Sequence, residues 1–194
     1  MKINCDDGFN PEWVEGAELD GNHQIPKIIK PDFFQIPIDV LPFSKRHQTK
    51  DYSEFIIFYE NDDKFGAFVK NPEKFYDELK QFPGIIGPDV SVYVDSPLIV
   101  QMANVYRNRA LCYKLQKDDF YVLPNVHWGD WRSYQKNLFN EQFAFLGLPK
   151  NNIVSVGTYG QIRGKDNFNR FAEGFDAMVE ELEPEIVLVY GSMP

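Results

Sequence analysis

The sequence predicts an α/β fold with a mainly parallel sheet of five or six strands in βα units, either partly barrel-like or open. From Glu54 onward, apolar runs of strand length alternate with amphipathic segments of helix length, which is typical of strand-helix-strand units. The centres of these runs lie about 30 to 35 residues apart, close to one such unit. The first fifty residues instead contain scattered prolines. We therefore expect one α/β domain over residues 1–194, with an irregular N-terminal segment (1–50) and a βα-repeating core (51–194).

Five segments have the apolar content of buried strands. They are residues 54–60, 85–94, 120–128, 152–158 and 185–191. A complete eight-fold βα barrel needs about 250 residues, so a partial barrel or an open sheet is expected. The N-terminal segment is expected to add an edge strand or to wrap the domain.

Capping signals mark where the helices begin and end. Ser96-Pro97 and Asn71-Pro72 each place a capping side chain before a proline, a combination that starts helices. Residues 132–148 have helix-like composition, and residues 166–182 carry one apolar stripe. In the helix after Ser96, three amides (Gln101, Asn104 and Asn108) group opposite the apolar face. We expect this face to be exposed to solvent or to contact the N-terminal segment.

The composition narrows the classes of partner. Lys and Arg total 20 against 29 Asp and Glu, a net charge of -9, and this charge disfavours nonspecific nucleic-acid binding. The sequence has no signal-peptide pattern and no apolar run of about 18 residues, so a cytoplasmic protein without a membrane segment is expected. Cys5 and Cys112 are interpreted as two reduced thiols. The basic run at residues 44–50 is interpreted as a solvated loop rather than a phosphate site.

Polar side chains recur on one face of three successive predicted strands. Because side chains alternate along a strand, Asp89, Ser91 and Asp95 share one face. Asn125 and His127 likewise share a face of the next strand. A parallel strand covered on both sides is normally apolar on both, and ligand sites in such folds form at the carboxyl edge of the sheet. The sequence therefore predicts a pocket at that edge.

The predicted site has two groups of residues. The candidate catalytic residues are Asp95, His127, Asp89 and Asp130. The candidate substrate-binding residues are Ser91, Asn125, Arg107, Arg109 and Tyr159. In the catalytic hypothesis Asp95 and His127 act as acid and base, Asp89 or Asp130 orients or supplements them, and Arg107 or Arg109 binds an anionic part of the substrate. No ligand spacing indicates a metal site, and no cofactor is identified.

Each candidate also has a structural alternative. Asp95 and Asp130 can cap or complement the helices that follow them, Asp89 can close a turn, and His127 can be a buried hydrogen-bonded histidine. Arg109, on the flank of an apolar helix face, is expected to form an ion pair with an acidic side chain.

One loop suggests anion binding without matching a known phosphate motif. Residues 157–167 (GTYGQIRGKDN) are glycine-rich and join a strand to a helix. Their spacing matches neither the Walker nor the dinucleotide fingerprint. A flexible loop is the simpler interpretation, although Arg163 and Lys165 would suit an anionic ligand.

Four strings, GPDVSVYVDSPLIVQMANVYRNR, VLPNVHWGD, VSVGTYG and PEIVLVYG, resemble the phage- and mobile-element-associated family called domain of unknown function 4417. The resemblance runs from about residue 51 to the end and implies an origin in a phage, prophage or integrative element. The family implies no particular activity, so it assigns no catalytic residue.

Two functions are compatible with these observations. One is an enzyme acting on a nucleotide or nucleic-acid component, or another small anionic ligand, through the carboxylate and histidine pocket. The alternative is a non-enzymatic acidic binding protein that occupies a host, phage or defence protein surface. Its aromatic anchors would be Trp128, Trp131, Tyr134 and Phe139.

Overall fold

The structure is a computed structural model that describes residues 9–192. The strands are β1 (Leu19–Asp20), β2 (Ile25–Pro26), β3 (Val40–Pro42), β4 (Phe55–Ile57), β5 (Ile85–Ile86), β6 (Val122–Leu123), β7 (Ile153–Gly157) and β8 (Ile186–Tyr190). The α-helices are α1 (Gly66–Lys70), α2 (Tyr76–Leu79), α3 (Leu98–Lys117), α4 (Trp131–Tyr134) and α5 (Lys165–Leu182). Short 3-10 helices cover Pro11–Val14, Phe43–Gln48, Asp62–Lys64 and Pro72–Phe75. Cys5 lies outside the described residues.

The larger strands are parallel and follow chain order. β3, β4, β5 and β6 form a four-stranded parallel sheet, and β7 and β8 form a two-stranded parallel sheet. A parallel bridge between Asn125 and Ser155 joins the two. The predicted α/β class with parallel strands is confirmed. The predicted single sheet of five or six strands is found instead as these two bridged sheets, with a separate antiparallel hairpin of β1 and β2.

Alternation along the strands gives the sheet two buried faces. Ile56, Ile85, Val122 and Val154 point into the larger core cluster, together with side chains of α3 and α5. Their neighbours Phe55, Ile57, Ile86, Leu123 and Ile153 form a second cluster on the opposite face. Burying one such side chain stabilises the fold by about 1.5 to 3 kcal/mol, so the apolar side chains on both faces hold the sheet within the core. The N-terminal segment supplies the edge strand β3, which was expected as an alternative to wrapping around the domain.

The strand predicted over residues 85–94 ends at Ile86. Gly87 and Pro88 follow, and proline has no N–H to donate to a ladder. Asn108 of α3 then binds the backbone of the residues after β5: its side chain accepts from Val90 N at 2.8 Å and donates to Val90 O at 3.0 Å. Residues 88–96 therefore cross the helix instead of extending the sheet, and the alternation rule does not apply to them.

The same contacts correct the expectation for the amide face of α3. Gln101, Asn104 and Asn108 are buried and bind backbone of the 88–96 segment: Asn104 donates to Ser91 O at 2.7 Å and Gln101 to Ser96 O at 3.0 Å. Amides suit this position because each offers both a donor and an acceptor to an unpaired backbone. In residues 9–192 no helix is long and apolar enough to cross a bilayer.

The helix predicted over residues 132–148 is wrong beyond its first turn. Helix α4 ends at Tyr134, and the chain continues through turns to β7. The Asn137 side chain accepts from Phe139 N at 2.8 Å and from Glu141 N at 3.1 Å, and Asn140 adopts a left-handed φ of 62°. These local hydrogen bonds compete with helical ones and stop the helix.

Candidate functional site

A cleft of about 540 Å³ lies where the parallel strands end. Its lining comes from the segments that follow β4, β5, β6 and β7 and from the last residues of β7 and β8, so it occupies the carboxyl edge at which ligand sites of parallel folds form. The lining residues are Tyr59, Glu60, Asn61, Lys64, Asp89, Ser91, Tyr93, Val126, His127, Gly157, Tyr159, Gly160, Gln161 and Tyr190. Polar and aromatic side chains dominate this set.

A histidine-carboxylate pair lies in the cleft. His127 Nδ1 and Asp89 Oδ1 are 2.7 Å apart, with 16% and 13% of the two side chains exposed. Asn125, whose residue is fully buried, donates its amide to the same Asp89 oxygen at 2.8 Å. The sequence placed Asp89 beside Asn125 and His127 by strand alternation. The structure brings the three together although Asp89 lies beyond its strand.

Opposing effects set the protonation of His127. Burial alone lowers the pKa of His127, but the charge and hydrogen bond of Asp89, with a smaller contribution from Asp62, outweigh it and raise the pKa above the ordinary 6.5. The second ring nitrogen, Nε2, lies 3.2 Å from Gln161 Nε2. Asp89 therefore orients one edge of the imidazole, and Gln161 contacts the other edge inside the cleft.

Arg109 lies behind this pair and is not among the residues that line the cleft. Its guanidinium is 2% exposed and donates to three backbone carbonyls, those of Leu146, Ala144 and Asn125. Burial lowers the pKa of Arg109 to about 10, and the neighbouring Cys112 and Asp89 oppose that effect. No described carboxylate lies within salt-bridge distance. The expected ion pair is thus replaced by carbonyl dipoles, because the 144–146 turn presents its carbonyl oxygens to the helix.

Aromatic residues form the other side of the cleft. The Tyr59 hydroxyl donates to Ser155 Oγ at 2.9 Å, and the Tyr59 ring stacks on Tyr190 with centroids 5.3 Å apart. A Cβ at Gly157 would lie 2.7 Å from the Tyr59 ring, so glycine is required for this close approach. Burial, and then the nearby Asp89 charge, raise the pKa of Tyr59. Tyr59 therefore remains a neutral hydroxyl.

Asp95 and Asp130 do not line the cleft. Asp95 is exposed in the turn before α3, so the expectation that Asp95 and His127 line one cavity does not match the structure. Asp130 caps α4 by accepting from Arg132 N at 2.9 Å and also binds the Arg132 guanidinium and Gln101. The hydrogen bond from Arg132 is the largest influence that lowers the pKa of Asp130, to about 2. Asp130 thus has the helix-capping role that was its structural alternative, whereas Asp95 makes no capping hydrogen bond to α3.

The remaining predicted substrate-binding residues divide between two places. Tyr159, 85% exposed, and Ser91 line the cleft. The Ser91 hydroxyl donates to Asp62 Oδ1 at 2.8 Å, so it is held by a neighbouring side chain. Arg107 lines a different depression near Trp13 and donates to Asn104 at 2.7 Å. Neither arginine lines the cleft that contains His127 and Asp89.

Tyr59 and Gln161 contact the central side chains of this site but had no role in the sequence-based prediction. Each lies within five residues of the end of a parallel strand or in the loop after it, and that position was the available signal. Their side chains lie together because parallel strands end at one edge. Within residues 9–192, no group of three or more His, Cys, Asp or Glu side chains is placed to hold a metal ion. The imidazole, carboxylate, hydroxyl and amide groups that line the cleft offer acid-base and hydrogen-bonding chemistry.

Comparisons with known proteins place the chain in a phage-associated group. It is 25% identical over 181 residues to the Gene 1 protein of Mycobacterium phage L5, covering 91% of this chain and 74% of that protein. It is 24% identical over 136 residues to the Gene 1 protein of Mycobacterium phage D29, covering 70% of this chain and 48% of that protein. No solved structure is significantly similar.

The sequence profile of the family described as "Domain of unknown function (DUF4417)" matches residues 17–194. This match begins well before residue 51, where the resemblance read from short strings began, so it includes the β1-β2 hairpin and the edge strand β3. The chain belongs to the DUF4417 family.

Proposed function

We propose that this protein is an enzyme that acts on a nucleotide or nucleic-acid component, with His127 as its general base and Asp89 as the residue that orients it. One observation carries the proposal: His127 Nδ1 is fixed on Asp89 Oδ1 at 2.7 Å while the opposite ring nitrogen meets a cleft of about 540 Å³. Two phage proteins among the relatives make the cytoplasm of an infected host the place of action that we propose.

The proposed chemistry is a proton transfer at Nε2 of His127. With Nδ1–H donated to Asp89, Nε2 carries the lone pair and can accept a proton from a water molecule or a substrate hydroxyl. The Asp89 carboxylate then stabilises the imidazolium. The substrate replaces Gln161 at Nε2 of His127. Alternatively, the Gln161 side chain rotates so that its amide oxygen accepts a hydrogen bond from the protonated Nε2.

His127→Gln tests the proposal, with His23→Gln as its matched control. His23 also pairs Nδ1 with a carboxylate, that of Glu141 at 2.6 Å, but His23 does not line the cleft. Purified variants are incubated with a panel of nucleosides, nucleotides and short oligonucleotides, and products are measured by chromatography and mass spectrometry. We expect turnover by the wild type and by His23→Gln, and a loss of about a hundredfold or more in His127→Gln.

Asp89→Asn should reduce turnover in the same direction while thermal melting shows a folded protein. Full turnover in both His127→Gln and Asp89→Asn would remove the catalytic role of the pair. Replication of a phage or mobile element carrying each variant gives the same comparison in cells.

A binding protein is the second candidate, and exposed apolar side chains favour it. Trp131, Leu138 and Phe139 are 58%, 101% and 57% exposed, whereas Trp128 and Tyr134 are buried and unsuited to anchor a partner. If the protein acts by covering a host or phage protein, Trp131→Ser with Phe139→Ser should abolish activity in cells. In that case His127→Gln and Asp89→Asn would leave activity in cells unchanged.

A further inference from the structure

We infer that the cleft binds an uncharged planar heterocycle, the base of a nucleoside without a phosphate group, stacked on its exposed tyrosines. This inference rests on the proposed function, because it names the substrate class of the same site. It differs from the sequence-based expectation of an anionic ligand held by arginine.

The first argument is the exposure of aromatic rings at the cleft. Tyr93 and Tyr159 both line it, with 56% and 85% of their surfaces exposed. Tyr59 and Tyr190 already stack on each other at an interplanar angle of 13° and form a rigid aromatic wall. Stacking of one base on an aromatic side chain contributes about 1 to 3 kcal/mol, and a tyrosine ring offers that surface without a charge.

The second argument is the charge of the lining. The described lining residues include two carboxylates, Glu60 and Asp89, the imidazole of His127, and one ammonium group, that of Lys64. Asp62 lies immediately behind Ser91. A phosphate dianion in this cleft would lie beside these two carboxylates, with Asp62 close behind, and juxtaposed like charges weaken binding.

The third argument is where the nearby arginines are held. Arg109 is enclosed by carbonyls, Arg107 lines another depression, and Arg132 is bound by Asp130. Arg163 and Lys165 are exposed and follow Gln161 but do not line the cleft. Recognition inside the cleft therefore relies on neutral amides such as Gln161, which can donate to and accept from a base edge at the same time.

The experiment is an NMR titration of the full chain, with tyrosine and His127 ring signals as reporters. The probes are adenosine, guanosine, cytidine and uridine, their 5′-monophosphates, ribose 5-phosphate and inorganic phosphate. We expect at least one nucleoside to bind, with shifts at the His127 ring. Its 5′-monophosphate should bind at least about tenfold more weakly at low salt.

Tyr159→Leu tests the stacking, with Tyr52→Leu as the matched control. Both residues are exposed, and Tyr52 does not line the cleft. Tyr159→Leu should weaken nucleoside binding about fivefold to a hundredfold, whereas Tyr159→Phe and Tyr52→Leu should retain it. Normal nucleoside binding by Tyr159→Leu would count against the inference.

The outcomes separate this inference from the proposed enzyme activity. Nucleosides that bind but are not turned over would support the inference and remove the catalytic proposal. Turnover of a phosphorylated substrate that depends on His127 would support the catalytic proposal and overturn the inference. Tighter binding of the monophosphate or of inorganic phosphate, or no nucleoside binding, would also overturn it.

Discussion

Residues 9–192 contain two histidine-carboxylate pairs of nearly equal geometry in different surroundings. His127 and Asp89 are separated by 2.7 Å, and His23 and Glu141 by 2.6 Å, with 16% and 17% of the histidine side chains exposed. His127 turns its free nitrogen towards Gln161 in the cleft. His23 instead packs its ring edge-on against Phe139, with centroids 5.6 Å apart. The position of the free nitrogen, and not the pair itself, distinguishes a candidate base from a structural contact.

The carboxylates of the two pairs also have different partners. Glu141 binds the backbone N–H and the side-chain amide of Asn22, so it fastens the β1-β2 hairpin to the loop after α4. Asp89 binds Asn125, whose backbone carbonyl is held by Arg109. Glu141 therefore closes a turn at the surface, whereas Asp89 belongs to a buried hydrogen-bond network that ends at the cleft.

The two pairs respond to pH in opposite directions. Burial raises the pKa of Glu141, but hydrogen bonds from Asn22 and His23 outweigh it and lower the pKa below 4.5. That carboxylate contributes stability above pH 4.5, which is lost as the pH falls through its lowered pKa. The raised pKa of His127 has the reverse effect: its contribution is complete below pH 6.5 and is lost as the pH rises through the raised value.

The largest loss of stability is expected from replacing Arg109, whose guanidinium lies behind the His127-Asp89 pair. Arg109→Met leaves three buried carbonyls without their donor, so we expect the free energy of unfolding to fall by about 3 to 5 kcal/mol. Urea unfolding followed by circular dichroism measures it. Arg132→Met is the control: its side chain is 40% exposed and bound to Asp130, and because exposed ion pairs contribute little to stability, its loss should destabilise the fold much less than the loss of Arg109. Equal stability of both variants would contradict the buried role of Arg109.

Removing the Glu141 carboxylate, which pairs with His23 outside the cleft, should lower the stability less and should not affect turnover. Glu141→Ala deprives Asn22 and His23 of their acceptor, and we expect a loss of about 2 to 3 kcal/mol in unfolding free energy. Turnover measured at a temperature where the variant is folded should not change. A large loss of turnover in folded Glu141→Ala would show that the two pairs are not separate in function.

The opposite pH responses sharpen the comparison further. The destabilisation caused by His127→Gln should shrink as the pH rises through the raised pKa of His127. The destabilisation caused by Glu141→Gln should shrink as the pH falls below 4.5.

NMR titration of the His127 ring gives a direct check, because Asp89→Asn should lower its pKa by removing the charge that opposes burial. An unchanged His127 pKa in Asp89→Asn would disprove the electrostatic link.

The smallest effect is expected at Asp95. This carboxylate is exposed and outside the cleft, so Asp95→Asn should change the unfolding free energy by less than about 0.5 kcal/mol and leave turnover intact. Thermal melting and the product assay measure both. Loss of turnover at Asp95→Asn with a normal melting temperature would return this residue to the active site.

Local pattern predicted the parallel order of the strands and the place of the site. The apolar runs at Phe55–Ile57, Ile153–Gly157 and Ile186–Tyr190 mark strands because parallel strands covered on both faces are apolar along their whole length. Since parallel strands end at one edge, the residues after them identify the cleft in outline. The pairing of Asp89 with His127 follows from that position, although the predicted strand through Asp89 does not exist.

The sequence by itself determined the α/β class, the parallel strand order and the edge at which Asp89, Asn125 and His127 meet, because these follow from hydrophobic periodicity and strand direction. The tertiary structure alone decided which polar groups face the cleft. Arg109 is enclosed by carbonyls of a turn 35 or more residues away in the chain, and Asn108 draws Val90 out of the sheet. Such partners are chosen by packing between distant segments, and each choice satisfies a buried hydrogen-bonding group that no local pattern specifies.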